Sequence, residues 1–435
     1  MSNQKKINII GGGLAGSSAC LYLAKRGYTV NLYDIKGEQC TPAHHNPNYA
    51  EIVCSNSLKS LDPTTASGLL KEELKLLDCD LLNIAYECQV PSGSALSVDR
   101  EMFAQRVTDF IKSFPNIILH TEEVQQFEND AITILATGPL TTDKMCEALS
   151  KKIGKGFFFF YDAASPIIDA STIDMNIAFV QDRYDKGNGD YLNLPMNKQE
   201  YEAFYNALIN AECVNLKSFE KGKYFESCMP IEVMAKRGHD TIRFGPLKPV
   251  GLCDRRTGEK PYAVVQLRKE NTSAKTYNIV GFQTNLKFGE QKRVFRMIPG
   301  LKNAEFLKYG VMHKNNYINF PSVCDLYSRL KVDNNIFIAG QLSGVEGYVE
   351  SIMSGLYCAI NTINMLENKE MFILSNNTII GGIYNYLVNA NQDNFQPINA
   401  NFGVLEPVFE RDKQKKAEIF FNRSIDEIKN KIKNL

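Results

Sequence analysis

Tryptophan is absent from the 435 residues while Asn, Lys and Ile are abundant, a composition typical of an AT-rich genome that implies no chemistry by itself. No apolar run approaches the ~20 residues needed to span a bilayer. The most conspicuous cluster, Phe157 to Tyr161, is far too short, so no membrane partner is expected. Net charge is zero, with 49 Lys and Arg against 49 Asp and Glu, and taken alone this argues against a nucleic-acid binder. The eleven cysteines lack regular spacing, and a strand-like run begins at Lys6, so no secretion signal is expected. A cytoplasmic protein with reduced thiols is expected. No two cysteines stand at C-x-x-C or C-x4-C spacing, which disfavours a flavin disulfide reductase. His44 and His45 have no further ligands at zinc spacing, so no metal is assigned. With 44% hydrophobic and 23% charged residues the chain is globular, and its length suits two or three domains of ~100–200 residues.

Lys6 to Ile10 reads as a strand, followed by Gly11, Gly12, Gly13, Leu14, Ala15 and Gly16, a helix-compatible stretch to Ala24, a stop at Gly27, and a second strand from Val30 to Tyr33 ending at Asp34. This is G-x-G-x-x-G between a strand and a helix, with an acid closing the second strand, the context in which the motif means dinucleotide binding. Gly11 permits the tight turn, Gly13 lets backbone approach a pyrophosphate, and Gly16 lets the helix pack closely. The helix N-terminus supplies N–H groups and the positive dipole end. Asp34 can accept from ribose hydroxyls and disfavours a 2′-phosphate.

Two further segments decide which dinucleotide. Ile132 to Pro139 is a buried strand running into a turn at Gly138, and Asn335 to Gln341 is another, ending at Gly340. The latter leads through Gly344, Glu346, Gly347 and Tyr348 into a helix from Val349. Each alone reads as a core strand with a turn. Together with the first motif they resemble the layout of two-dinucleotide-domain flavoproteins, which implies FAD as cofactor and NAD(P)H as transient reductant. Early and late motifs must meet, so we expect an α/β architecture: a doubly wound, Rossmann-like FAD domain of the glutathione-reductase type from residues 1–165 and 315–375, an inserted α+β domain over 166–314, and a helical extension over 376–435.

The zero net charge hides an asymmetry. Residues 236 to 314 hold 17 Lys and Arg against six Asp and Glu, an excess of eleven positive charges. Tyr262, Tyr277, Phe282, Phe288 and Phe295 are interleaved with them. Cations on phosphates and rings under unstacked bases would suit structured RNA, whereas a solvated face over core aromatics is the plainer alternative.

Cys54, followed by polar capping residues, is set as if to open a helix that lowers its thiol pKa, and Cys228 precedes Lys236 and Arg237. Cys20, Cys79, Cys146 and Cys358 sit in apolar stretches and read as small buried hydrophobes. EIVCSNSLKS (51–60), GLLKEE (68–73), ATGPLT (136–141), CMPIEVMAKRG (228–238), FGPLKPVGL (244–252), YNIVGFQT (277–284) and AGQLSGVEGYVES (339–351), in this order, resemble the TrmFO family of folate- and FAD-dependent RNA uracil-5-methyltransferases. The resemblance implies transfer of a one-carbon unit from 5,10-methylenetetrahydrofolate to C5 of an RNA uridine, with reduced FAD as electron source. It maps the family's two cysteines onto Cys54, as nucleophile adding to C6, and Cys228, as general base or guard, with the reverse assignment open. Tyr348 is a candidate to stack on folate or the flavin, and Gln341 and Glu346 are polar contacts of the same turn. Ser227 and Lys59 depart from the family's usual Gly and Arg, and residues 371–435 lie outside the strong match, with an amphipathic helix expected from Val408. The target, a tRNA T-loop uridine or one in 23S ribosomal RNA, stays open, and an RNA-binding flavoprotein without catalysis is the alternative reading.

Overall fold

The computed structural model describes residues 5–433 except 37–43, 45, 155–156, 164, 186–188, 215–228, 259 and 272. The chain opens with β1 (Lys6–Ile10), α1 (Leu14–Lys25), β2 (Val30–Tyr33), β3 (Ser57–Ser60), α2 (Ala66–Leu76), α3 (Arg100–Lys112), β4 (Ile117–His120) and β5 (Ala131–Leu135). A connecting strand β6 (Phe157–Ala163) leads to β7 (Ile167–Asp169), β8 (Phe179–Val180), β9 (Tyr191–Met196), α4 (Lys198–Ile209), β10 (Ala263–Lys269), β11 (Thr276–Ile279), α5 (Phe288–Phe295) and β12 (Phe306–Lys308). The return strand β13 (Met312–Ile318) precedes β14 (Arg329–Leu330), β15 (Asp333–Ile338), α6 (Tyr348–Leu366), α7 (Ile379–Asn389) and α8 (Lys413–Ile432).

One sheet has the order β14-β15-β5-β1-β2-β4. Its strands run parallel except β14, which lies antiparallel on β15 at the edge. Strands covered on both faces need nearly continuous apolar runs, and β1 and β5 supply them: Ile7, Ile9, Ile132 and Ile134 are all buried. Each such side chain contributes about 1.5–3 kcal/mol when taken from water. Helix α1 is buried from Leu14 to Ala24, because it lies between this sheet and α6. The two helices touch closely: a Cβ at Gly355 of α6 would lie 2.0 Å from the Ala15 carbonyl oxygen, so only glycine fits there. Helices α7 and α8 share this core through Leu387, Phe420 and Ile428. Helix α8 starts five residues beyond Val408, where the Asp412 side chain accepts from Gln414 N and Lys415 N.

The second sheet, antiparallel throughout, has the order β8-β9-β10-β11-β7-β12 and its own core, in which Leu194, Phe204, Val265, Phe282 and Phe295 are fully buried. The chain enters this unit through β6 and leaves through β13, and these two strands pair antiparallel from Phe157↔Ile318 to Ala163↔Met312.

Candidate functional site

A cleft opens at the carboxyl ends of the parallel strands, where β1 turns into α1, with about 1160 Å³ of empty space including its open mouth. Ligand pockets typically measure about 300–1000 Å³. Of the residues expected to hold the dinucleotide, Gly11, Gly13, Leu14, Ala15, Asp34, Gly138, Gly340, Gln341 and Tyr348 line it. Gly12, Gly16, Gly344 and Gly347 shape its walls instead: a Cβ at Gly16 would stand 1.8 Å from the Gly11 oxygen, one at Gly344 2.6 Å from the Phe395 ring, and one at Gly347 2.1 Å from the Glu350 carboxylate. Gly11 has φ +104°, and a Cβ there would strike the Ala136 carbonyl oxygen at 2.4 Å, so the turn from β1 is possible only for glycine.

Gly13, the residue capping α1, is different. A Cβ there would meet nothing within 4 Å, and its φ and ψ of −72° and −167° suit any residue. Its missing side chain therefore leaves room toward the cleft rather than toward protein. No side chain caps α1, so the N–H groups of its first turn and the positive end of its dipole remain for a ligand. Both Asp34 oxygens accept from backbone, from Gly12 N at 2.6 Å and Lys36 N at 2.8 Å. The carboxylate thus braces the glycine turn, while each oxygen retains a lone pair. An open floor, free donors and an acid at the far end fit a dinucleotide.

Sequence reasoning missed several lining residues. Lys36 and Glu51, both nearly buried, form an ion pair of 3.0 Å, and Lys36 also donates to the Asn48 oxygen at 2.8 Å. Thr137 and Thr141 share a hydrogen bond of 2.7 Å beside Gly138. Glu51, Thr137 and Thr141 lie in strings quoted above, but no spacing singles them out as lining a cleft, and Lys36 has no signal at all. Gln341 donates to Glu346 at 2.6 Å, joining the two polar residues of the late turn.

Cys54 does not open a helix, contrary to the sequence-based expectation: it precedes β3, because the residues after it pair with a neighbouring strand at Ser57↔Ser97. What holds it is tertiary. The Tyr348 hydroxyl, at the start of α6, accepts from Cys54 N at 2.8 Å and Ser55 N at 3.0 Å. Burial of that hydroxyl drives its pKa well above the ordinary tyrosine value. Arg100 of α3 donates to the Val53 oxygen at 3.0 Å and pairs with Glu270 at 2.6 Å. From the second sheet Arg268 donates to Ser55 Oγ at 2.7 Å, and Asn56 donates to the Lys269 oxygen at 3.0 Å. The Cys54 loop is therefore clamped between both cores, and Val53 and Tyr348 carry it to the cleft wall. Lys59 ion-pairs with the buried Glu350 at 3.0 Å.

Cys228 lies outside the described residues. Glu232, four residues on, is buried and accepts from Thr284 Oγ1 at 2.8 Å and Asn285 N at 2.7 Å, which ties the 228–238 string to the end of the 277–284 string in the second core. Cys20, Cys79 and Cys358 are buried as expected, and burial pushes the Cys79 and Cys358 thiols up to about 12. Cys146 is only half-buried. In the basic segment, Tyr277, Phe282 and Phe295 prove to be core residues, while Phe288 is exposed. Arg243 lies over the Tyr262 ring at 4.0 Å, and Arg255 and Arg256 pair with Asp185 and Asp254. Among the described residues no helix is long and apolar enough to cross a membrane.

The family model described as glucose inhibited division protein A matches residues 6–370. A relative from Halalkalibacterium halodurans named methylenetetrahydrofolate--tRNA-(uracil-5-)-methyltransferase TrmFO is 49% identical over 431 residues, 99% of each chain. Another of the same name, from Fusobacterium nucleatum subsp. nucleatum, is 51% identical over 434 residues, 99% of this chain and 100% of its own. Among solved structures, Aquifex aeolicus GidA superimposes with a TM-score of 0.71 at 14% identity, covering 98% of this chain and 73% of that one, a likeness of fold. On a family match over most of its length and on relatives half identical from end to end, the chain belongs to the glucose inhibited division protein A family and, within it, to the folate- and FAD-dependent uracil-5-methyltransferases of the TrmFO group.

Proposed function

We propose that this chain is a flavoprotein that transfers the one-carbon unit of 5,10-methylenetetrahydrofolate to C5 of a uridine in tRNA, giving 5-methyluridine. End-to-end similarity to relatives named for that reaction supports it. So does one geometric observation: the Tyr348 hydroxyl ties the Cys54 backbone to the cleft that the two glycine motifs line. When bound, FAD supplies the electrons that turn the transferred methylene into a methyl group, and NAD(P)H is the proposed reductant.

The N-terminal turn of α1 would bind the pyrophosphate and Asp34 a ribose. Gly138, Gly340, Gln341 and Tyr348 would flank the ring end. Uracil C5 is a poor nucleophile, and the Cys54 thiolate, adding to C6, would turn the base into an enolate able to attack through C5. Expulsion of that thiolate, after a base removes the C5 proton, restores the uracil ring. Cys228 is the proposed second thiol, as base or guard. Lys and Arg of the 236–314 segment would neutralise phosphates of the RNA and hold it, and the reaction would take place in the cytoplasm.

The test is labelling of unmodified tRNA and 23S ribosomal RNA transcripts with methylene-labelled folate, FAD and NADPH, followed by mapping of 5-methyluridine. Label in tRNA, abolished at least ~10³-fold in Cys54→Ala with flavin still bound, is expected. Label in ribosomal RNA alone would move the substrate, and undiminished turnover by Cys54→Ala would remove the proposed nucleophile.

A further inference from the structure

The aromatics of the basic segment form a column that runs from the second core to solvent. Phe282 meets Phe295 edge-on at 5.2 Å between centroids, and Phe295 meets Phe306 at 6.4 Å. Phe306 stacks on Tyr309 at 5.5 Å with planes 11° apart, and Tyr309 stacks on Phe288 at 4.9 Å and 17°. The first two rings are fully buried, whereas Phe288, at the first turn of α5, is 54% exposed. An exposed phenylalanine by itself is ordinary. This one ends a stack of nearly parallel rings.

Its position gives the column a direction. Lys269 pairs with Tyr277, Tyr277 with Ile168, and Ile168 with Phe306, a single row across β10, β11, β7 and β12. Three strand spacings of ~4.8 Å make that row about 14 Å long. At one end the Lys269 oxygen accepts from Asn56, two residues after Cys54. At the other stands the column. That row reaches Phe306, about four nucleotides at the ~3.4 Å rise of a stacked strand, and Phe288 lies two further ring spacings, of 5.5 and 4.9 Å, along the column. Charge fits as well. Lys287 and Arg293 are paired with Glu212 and Glu290, but Lys292, one turn after Phe288 on the same helix face, and Lys308, beside Tyr309, form no ion pair among the described residues.

We propose that Phe288 is a stacking platform for an unpaired RNA base a few nucleotides from the uridine held at Cys54, with Lys292 and Lys308 on the adjoining phosphates. This rests on the RNA reading above and names where the RNA is gripped. Base–aromatic stacking tolerates any sequence, so the platform fixes distance and register rather than identity.

Because the chain contains no tryptophan, Phe288→Trp introduces a single indole at the platform. Titrating the flavin-loaded variant with unmodified tRNA should quench its emission in step with binding, while heparin, a polyanion without bases, should not. Phe288→Ala should raise KM for tRNA about 5- to 100-fold with kcat and flavin content kept, and Phe288→Tyr should restore it. Wild-type KM in Phe288→Ala overturns the proposal. So does an indole that ignores tRNA, responds equally to heparin, or changes with protein concentration alone as a contact between copies would require. The quench needs no turnover, so a wild-type chain that binds tRNA without methylating it would overturn the functional reading and leave the platform to be judged on its own.

Discussion

Gly13 is a position at which folding and the proposed dinucleotide binding can be separated. Its backbone angles are open to every residue and its missing Cβ faces no protein atom within 4 Å. Gly13→Val should therefore fold with unchanged circular dichroism yet purify without flavin, as absorbance near 450 nm would report, because two methyl groups would stand in front of the α1 N-terminus. Gly11 and Gly16 give no such separation, since a Cβ at either collides with backbone. The tight turn at Gly11 and the close packing at Gly16 were legible from the residues because they are local, each decided within a turn of one strand and one helix. The neighbours of Cys54 were not. Tyr348 lies 294 residues away along the chain and Arg268 is 213 from Ser55, so no periodicity could bring them together. The helix expected after Cys54 failed for the same reason: polar capping residues there are committed to strand pairing and to tertiary donors.

Between elements, Glu73 of α2 acts as a clasp on the carboxy-terminal helices. It is fully buried and accepts from Ile379 N at 2.6 Å and Ile380 N at 3.0 Å, at the start of α7, and from Ser424 Oγ of α8 at 2.6 Å. Burial raises its carboxyl from the usual 4.5 to about 7, against the three hydrogen bonds, with Glu427 adding repulsion. The raised value means that the folded chain binds the proton more tightly than the unfolded one. The resulting stabilisation is fully present below about pH 4.5 and is lost as pH rises through about 7. Glu73→Gln should flatten the fall in Tm between pH 5 and 8 relative to wild type, and Glu73→Ala should cost about 2–4 kcal/mol by orphaning the α7 cap, both measured by calorimetry. The string GLLKEE drew attention to this segment, but its role lies 306 residues away at Ile379. Amphipathic α8 was legible as a helix from its pattern, whereas its partner was not.

At the scale of the molecule, two cores meet through the Cys54 loop and the β6–β13 ribbon. Asn56, Ser55 and Arg100 each reach across to β10 or the residue after it. A thiol clamped from both sides would feel the proposed RNA contact on one core and the proposed flavin contact on the other. Excising residues 164–311 and joining Ala163 to Met312 through a two-residue turn should leave a chain that retains flavin, detected by its absorbance, and methylates nothing. The asymmetry of charge marked out residues 236–314 in the sequence, but of the five aromatics interleaved there Tyr277, Phe282 and Phe295 are core and Phe288 stands open.

The ribbon also bears on ancestry. Since Ala163 and Met312 are direct partners, entry to and exit from the second unit lie about 5 Å apart, the width of one antiparallel pair. A gene encoding the parallel-sheet unit alone needs only one hairpin loop opened to receive the whole second unit, with no strand reordered and no helix displaced. A single insertion at that hairpin is therefore enough to account for the topology, and the contacts at the Cys54 loop are what it adds between the two cores.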